Sequence, residues 1–171
     1  MIGGKGAPHP TALRVQGRLR ERGLEIEVRT LSASTRSAAE AAAAVGCSEG
    51  QIVKSLVFTA DGRQLICLCA GDRRVDPTRL GPGARPATAD EVRDATGFAI
   101  GGVPPLGHDR QLKTIVDASL RRFDTVWAAA GTPRSVFEVH TEDLIAAIED
   151  AEVRDVAEPT QSESRDRGSA T

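Results

Sequence analysis

Lysine is scarce in this chain. Its 171 residues hold 19 arginines but only three lysines, Lys5, Lys54 and Lys113. A cation placed by default would be arginine, so Lys54 needs a reason. It sits in the apolar, β-branched run Gln51-Ile52-Val53-Lys54-Ser55-Leu56-Val57-Phe58, which has the length and composition of a strand. An unpaired ammonium inside a protein is costly. Two readings follow: Lys54 points into a wet cleft or at an anion, or it blunts a sheet edge and snorkels to water.

Aromatics are few as well: Phe58, Phe98, Phe123, Phe137 and Trp127, with no tyrosine. This excludes a stacking platform for single-stranded nucleic acid and leaves a core of alanine, valine, leucine and isoleucine. Three cysteines without Cys-x-x-Cys spacing exclude a disulfide framework and a zinc site. Cys67 and Cys69 lie two apart on one face of a strand and read as small buried hydrophobes. No long apolar run and no signal or transit segment is present, so the expectation is a cytoplasmic protein with no membrane contact. The net charge of −2 and pI of about 5.9 exclude a protein that coats a duplex. Local basic patches remain, among them Arg73-Arg74 and Arg121-Arg122.

The expected layout is a loose N-terminus over 1–10, a folded domain over 11–150 and a disordered polar tail over 151–171. A helix from Thr11 as N-cap runs to Arg22 and stops at Gly23. Glu25 to Arg29 alternates polar and apolar, as a half-exposed strand does. Ser37-Ala38-Ala39-Glu40 has capping-box spacing and opens an alanine-rich helix ending near Gly46. Ile52 to Thr59 and Gln64 to Ala70, joined through Asp61-Gly62, form a hairpin apolar along both arms, hence central. Gly71 to Asp76 reads as a polar turn, Pro77 to Leu80 as a short helix, and Thr88-Ala89-Asp90-Glu91 as a second capping box for a helix closed by Gly97. Strands are expected at Leu112 to Asp117, Phe123 to Ala130 and Arg134 to His140, then a last helix from Thr141.

Catalytic side chains are scarce too. His9, His108 and His140 sit in unrelated contexts, and no His-Glu-x-x-His, Gly-x-Ser-x-Gly, P-loop or dinucleotide fingerprint occurs. The loop Gly101-Gly102-Val103-Pro104-Pro105-Leu106-Gly107-His108 brings backbone amides together and stiffens them with two prolines, so it reads either as an amide-rich site or as a plain tight loop. His108 reads as a loop stabiliser beside it. Asp117 is either the N-cap of a short turn or a polar group facing a cleft. A strand lysine plus an amide-rich loop without a general base suits holding an anionic substrate through a carbonyl reaction.

In their order and spacing these motifs resemble the YbaK and prolyl-tRNA synthetase editing-domain family. The residues that carry the likeness are the alanine-rich helix, Ile52 to Leu56 around Lys54, Gly71 to Arg74, Gly97-Phe98, Gly101 to His108, Thr114 to Asp117 and Gly131, over residues 10–148. The resemblance implies an α+β fold with a mixed, strongly curved, barrel-like sheet flanked by helices. It implies hydrolysis of the ester of mischarged aminoacyl-tRNA in trans, without metal or other cofactor. Lys54 would engage the terminal adenosine, and Gly101, Gly102 and Val103 would present backbone groups to the ester. Pro104, Pro105 and His108 would complete the loop, while Gly131 and Thr132 would border the amino-acid pocket and Ser55 and Asp117 would add polar contacts.

Arg73 and Arg74, after the hairpin, are the expected tRNA contacts. Ser55, where some members have asparagine, and Thr132-Pro133-Arg134-Ser135, where some have histidine, place the chain nearer the free-standing YbaK branch, with Arg134 either narrowing the pocket or facing solvent. The expected partners are the tRNA acceptor end and a synthetase, the expected state a monomer or weak homodimer. The alternative function is a non-catalytic tRNA- or nucleotide-binding module associated with a synthetase.

Overall fold

The structure, a computed structural model, describes residues 7–160. In chain order the helices are α1 (Pro10–Glu21), α2 (Ala38–Val45), α3 (Ala89–Thr96) and α4 (Thr141–Ala147). The strands are β1 (Arg29–Thr30), β2 (Val53–Ala60), β3 (Arg63–Ala70), β4 (Arg73–Val75), β5 (Arg85–Pro86), β6 (Lys113–Asp117), β7 (Thr125–Ala129), β8 (Ser135–His140), β9 (Glu152–Arg154) and β10 (Ala157–Pro159). The fold is α+β. A five-stranded mixed sheet has the order β5-β2-β3-β6-β9, a three-stranded antiparallel sheet the order β1-β8-β7, and β10 pairs with β4 alone. Among the described residues the two larger sheets meet through a single bridge, Ile52 to Trp127, so the barrel-like curvature that the resemblance implied stops short of a closed barrel.

The β2–β3 hairpin organises the core. Asp61 and Gly62 both take positive φ, 51° and 71°, the geometry of a two-residue turn whose twist matches the strands it joins. The register sets Lys54 opposite Cys69 and Val57 opposite Ile66. Because side chains alternate between faces, Val53, Val57, Ile66 and Leu68 enter the main core with α1 and Phe137. Phe58, Leu65, Cys67 and Cys69 enter a second cluster with Val75 and Val156. Both faces are buried, as the nearly continuous apolar arms require. The cysteines are free. Burial pushes both thiols up, Cys69 to about 12, so they are inert packing groups.

Helix termini follow their caps. Ser37 Oγ accepts from Glu40 N–H, and Gly46 closes α2 in the left-handed region. Thr88 and Glu91 make a reciprocal capping box at α3. At α1 the cap is His9 rather than Thr11: its Nδ1 accepts from Thr11 N–H at 3.1 Å, and Pro10 takes the first helical position, where no donor is needed. Ala12, Val15 and Leu19, at helical spacing, are fully buried.

Three further expectations need correction. Glu25 to Arg29 alternates as read, with Leu24, Ile26 and Val28 buried, but only Arg29–Thr30 pairs into a sheet. The Val28 N–H instead donates to Gln16 Oε1 at 2.9 Å. Gly71 to Asp76 is not only a turn, since β4 occupies its middle. The tail assigned as disordered from 151 contains β9, parallel to β6, and β10, antiparallel to β4, and Val156 is 1% exposed. Residues 161–171 and 1–6 of the two terminal assignments lie outside the described residues.

Glu91 ties the β5 edge to α3: its carboxylate accepts from Arg85 Nη1 at 2.7 Å, from Thr59 Oγ1 at 3.0 Å and from Thr88 N–H at 2.9 Å. The Arg85 bond, then the cap, hold its pKa down to about 2 from an ordinary 4.5. A carboxyl lowered on folding stabilises above its unfolded pKa, and the contribution is lost as pH falls toward the folded value. The stability gap between wild type and Glu91→Gln is therefore expected to shrink from pH 5 to pH 3 in urea titrations. A gap independent of pH would contradict this assignment.

Candidate functional site

The N-terminal half of β2 lacks a strand neighbour on one side, because β5 covers only Phe58 and Thr59. Between that open edge, the 98–103 loop, the start of α2 and the β7–β8 turn lies a cleft of about 590 Å³. Of the residues singled out in the sequence, Lys54, Ser55, Gly101, Val103, Thr132 and Arg74 line it. Arg36, Ile100, Trp127 and Pro133 line it too, without having been singled out in the sequence.

Lys54 is half-buried, and its ammonium donates to the backbone carbonyl of Arg73. The cleft lining carries three cations, Arg36, Lys54 and Arg74, and neither a carboxylate nor a histidine. Among the described residues none of the three makes an ion pair, whereas Arg18, Arg79, Arg85, Arg121 and Arg122 do. The cleft is thus a positive site open to an anion. Beside Lys54 in the lining, Ser55 Oγ is buried with no hydrogen-bond partner among the described residues.

The glycine loop is built by close backbone contact. A Cβ on Gly102 would lie 2.7 Å from the Gly131 carbonyl oxygen and 3.0 Å from Thr132 Cα. Gly131, at φ +96°, in turn abuts Thr11, Val15 and Phe98. Gly102 and Gly131 therefore join the two loops rather than line the cleft. The Gly102 N–H is already given to the Ala99 carbonyl at 3.0 Å, which narrows the expected amide donors to Gly101 and Val103. Pro104 and Pro105 are buried behind the loop. His108 Nε2 lies 2.6 Å from the Pro104 carbonyl, and burial lowers its pKa, so it is a neutral brace for the loop, as its position suggested.

Three other residues fall elsewhere. Arg73 is buried, 9% exposed, beside Asp72; of the arginine pair only Arg74 reaches the cleft. Asp117, 1% exposed, is absent from the lining; it caps the 3-10 turn Ala118–Arg122 and binds backbone amides of the C-terminal segment. Arg134 neither charges the pocket nor faces water alone: it donates to the carbonyls of Leu31 at 3.2 Å and Ser32 at 3.0 Å, anchoring the segment that carries Arg36. Arg36 had a sequence signal, its place just before the Ser37 cap, where a cation flanks a helix N-terminus.

A second hollow of about 600 Å³, between α1, β8 and α4, is lined by Arg22, Glu25, Glu138, His140 and Asp143. Its mixed charge sets it apart from the cationic cleft, with which it shares no lining residue. Among the described residues no group of three or more His, Cys, Asp or Glu could hold a metal ion, and no helix is long and apolar enough to cross a membrane.

The profile of the aminoacyl-tRNA editing domain matches residues 32–147, which include both the cleft and its loops. The uncharacterized protein YwhH of Bacillus subtilis is 35% identical over 125 residues, 70% of this chain and 80% of that protein. The proline–tRNA ligase of Bacillus licheniformis is 31% identical over 107 residues, but these make up only 18% of that enzyme. A crystal structure described as a proposed trans-editing enzyme for prolyl-tRNA synthetase is 48% identical, with a TM-score of 0.83 over 89% of this chain and 99% of that one. Fold, cleft and matches agree: the chain belongs to the aminoacyl-tRNA editing-domain family.

Proposed function

We propose that this chain hydrolyses the ester bond of wrongly charged aminoacyl-tRNA, acting in trans as a separate deacylase. The supporting observation is the cleft itself: three cations without carboxylate partners beside a loop of backbone amides, and no side-chain base in the lining. The cations fit the phosphates of a single-stranded acceptor end. Lys54 holds the terminal nucleotide, and Arg36 and Arg74 take phosphates to either side.

Water adds to the acyl carbon and the carbonyl oxygen gains negative charge, which the Gly101 and Val103 N–H groups stabilise. The bond to the ribose oxygen then breaks, giving a free amino acid and a free ribose hydroxyl. The proton lost by water passes to the leaving oxygen through the substrate's own neighbouring hydroxyl, since the cleft offers neither carboxylate nor histidine. The decisive experiment compares an acceptor hairpin carrying an aminoacyl ester with the same hairpin uncharged: the first is hydrolysed, the second only bound.

Phosphate contacts make a salt prediction. With two arginines engaged on a single strand, kcat/KM falls several-fold between roughly 50 and 200 mM salt, at about 0.7 log units per contact per decade. The double variant Arg36→Ala, Arg74→Ala is expected to lower kcat/KM and to flatten that slope. A salt dependence identical to wild type in initial-rate assays would remove both residues from the RNA path.

A further inference from the structure

Residues 148–160 lie beyond the stretch matched by the family profile, and none of them lines the cleft, yet they pair with the strand β4 that does. After β9, Val156 enters the cluster formed by Phe58, Cys67, Cys69 and Val75. The buried carboxylate of Asp117 latches this turn. Its Oδ1 accepts from Val156 N–H at 2.9 Å and Ala157 N–H at 3.1 Å, while Oδ2 accepts from Ser119 N–H at 3.2 Å and from the Ser119 hydroxyl. Beyond the latch β10 runs antiparallel to β4, with Glu158 opposite Arg74. The Asp76 N–H donates to the Val156 carbonyl at 2.8 Å and the Thr160 N–H to the Asp72 carbonyl at 3.1 Å, so the even-numbered residues of 72–76 face β10. In such a ladder the alternate residue turns its carbonyl to the opposite edge. Arg73 is that residue, and its carbonyl receives the Lys54 ammonium. Among the described residues β4 pairs with no other strand, and it also carries Arg74 and Val75 of the cleft lining.

We infer that residues 151–160 form a strap that positions Lys54: the Asp117 latch fixes β10, β10 fixes β4, and the Arg73 carbonyl on β4 holds the ammonium at the cleft wall. Asp117 is thus a positioning residue with no contact to substrate. The consequence for catalysis rests on the deacylase reading above, whereas the consequence for Lys54 does not.

Two full-length variants test the strap. Ala157→Pro removes one N–H that Asp117 accepts, and Asp117→Asn sets an amide donor against backbone donors while keeping the side chain's shape. Circular dichroism checks folding, and if Ala157→Pro does not fold, Asp117→Asn decides. The readout is the rate at which a water-soluble acylating reagent modifies Lys54, followed by peptide mass spectrometry against an added free amine. Lys54 is expected to react roughly two- to tenfold faster in the folded variants, the factor set by loss of one net hydrogen bond. Deacylation kcat/KM falls on the order of tenfold or more as the ammonium loses its place. An unchanged Lys54 rate in folded Asp117→Asn overturns the strap. A raised Lys54 rate in a protein that hydrolyses no aminoacyl ester upholds the strap and overturns the deacylase reading instead.

Discussion

Lys54→Ala is expected to lower the deacylation rate by roughly a hundredfold or more, the penalty for misplacing the reacting ester by about 1 Å once the cation that holds the terminal nucleotide is gone. The side chain is half-buried, and its hydrogen bond to the Arg73 carbonyl is the interaction that the substitution removes. That bond contributes only about 0.5–1.5 kcal/mol net to stability, so the fold survives the loss. Activity and stability thus separate in this variant: thermal melting shifts by a few degrees while hydrolysis nearly ceases. Lys54→Met makes the comparison cleaner, since it keeps an aliphatic stem at the position opposite Cys69 and removes the ammonium with its charge and its hydrogen bond to Arg73. Lys54→Arg is not conservative, because a planar fork cannot replace a point charge held by one carbonyl. A Lys54→Met protein within a few-fold of wild type would show that the ammonium is a surface cation after all.

The second large effect comes from a residue that touches no substrate. Gly102→Ala places a methyl 2.7 Å from the Gly131 carbonyl oxygen and 2.8 Å from its carbon, both backbone atoms that cannot swing aside. The two loops must part, and overpacking of this kind costs about 1–3 kcal/mol. Gly101 and Val103 move with the loop, so deacylation is expected to fall by roughly a hundredfold, the penalty for misplacing a catalytic group by about 1 Å. Gly17→Ala is the matched control. Gly17 lies within α1 with nothing within 4 Å of the added methyl, so the substitution stabilises by about 0.5–1 kcal/mol and leaves activity alone. Urea unfolding and initial rates on the two proteins check both statements; a Gly102→Ala protein with unchanged rate would mean that the loop contact does not set the site.

Local chemistry made much of this legible. Asp61-Gly62 fixed the hairpin, two cap motifs fixed α2 and α3, and Lys54, in the middle of an apolar run, pointed to the cleft because its cost had to be explained. What stayed hidden depended on distant partners. Arg73 and Arg74 are adjacent, but a strand of three residues is too short to reveal its alternation, so the buried member could not be told from the exposed one. The 151–160 segment is mostly polar. It orders because a carboxylate some 40 positions earlier accepts its amides and because Val156 fills a gap between β3 and β4. Glu25 to Arg29 kept its alternation of burial yet formed little sheet, since Gln16 rather than a strand satisfies the Val28 amide. In the site, Lys54 and the outer parts of both glycine loops were found from sequence. The division of those loops into lining residues (Gly101, Val103, Thr132) and joining residues (Gly102, Gly131) needed the coordinates, because it turns on which glycine faces which.

The central claim is that the cationic cleft breaks an aminoacyl ester, and the most direct measurement is a deacylation panel. Purified protein is incubated with proline tRNA charged in turn with cysteine, alanine, serine, threonine and proline, and released amino acid is followed with time, with the tRNA varied next at fixed amino acid. The account predicts release of one or two of the non-cognate amino acids while the remaining esters stay intact. Binding of the acceptor end with no ester hydrolysed across the whole panel would contradict it and leave a binding module in its place.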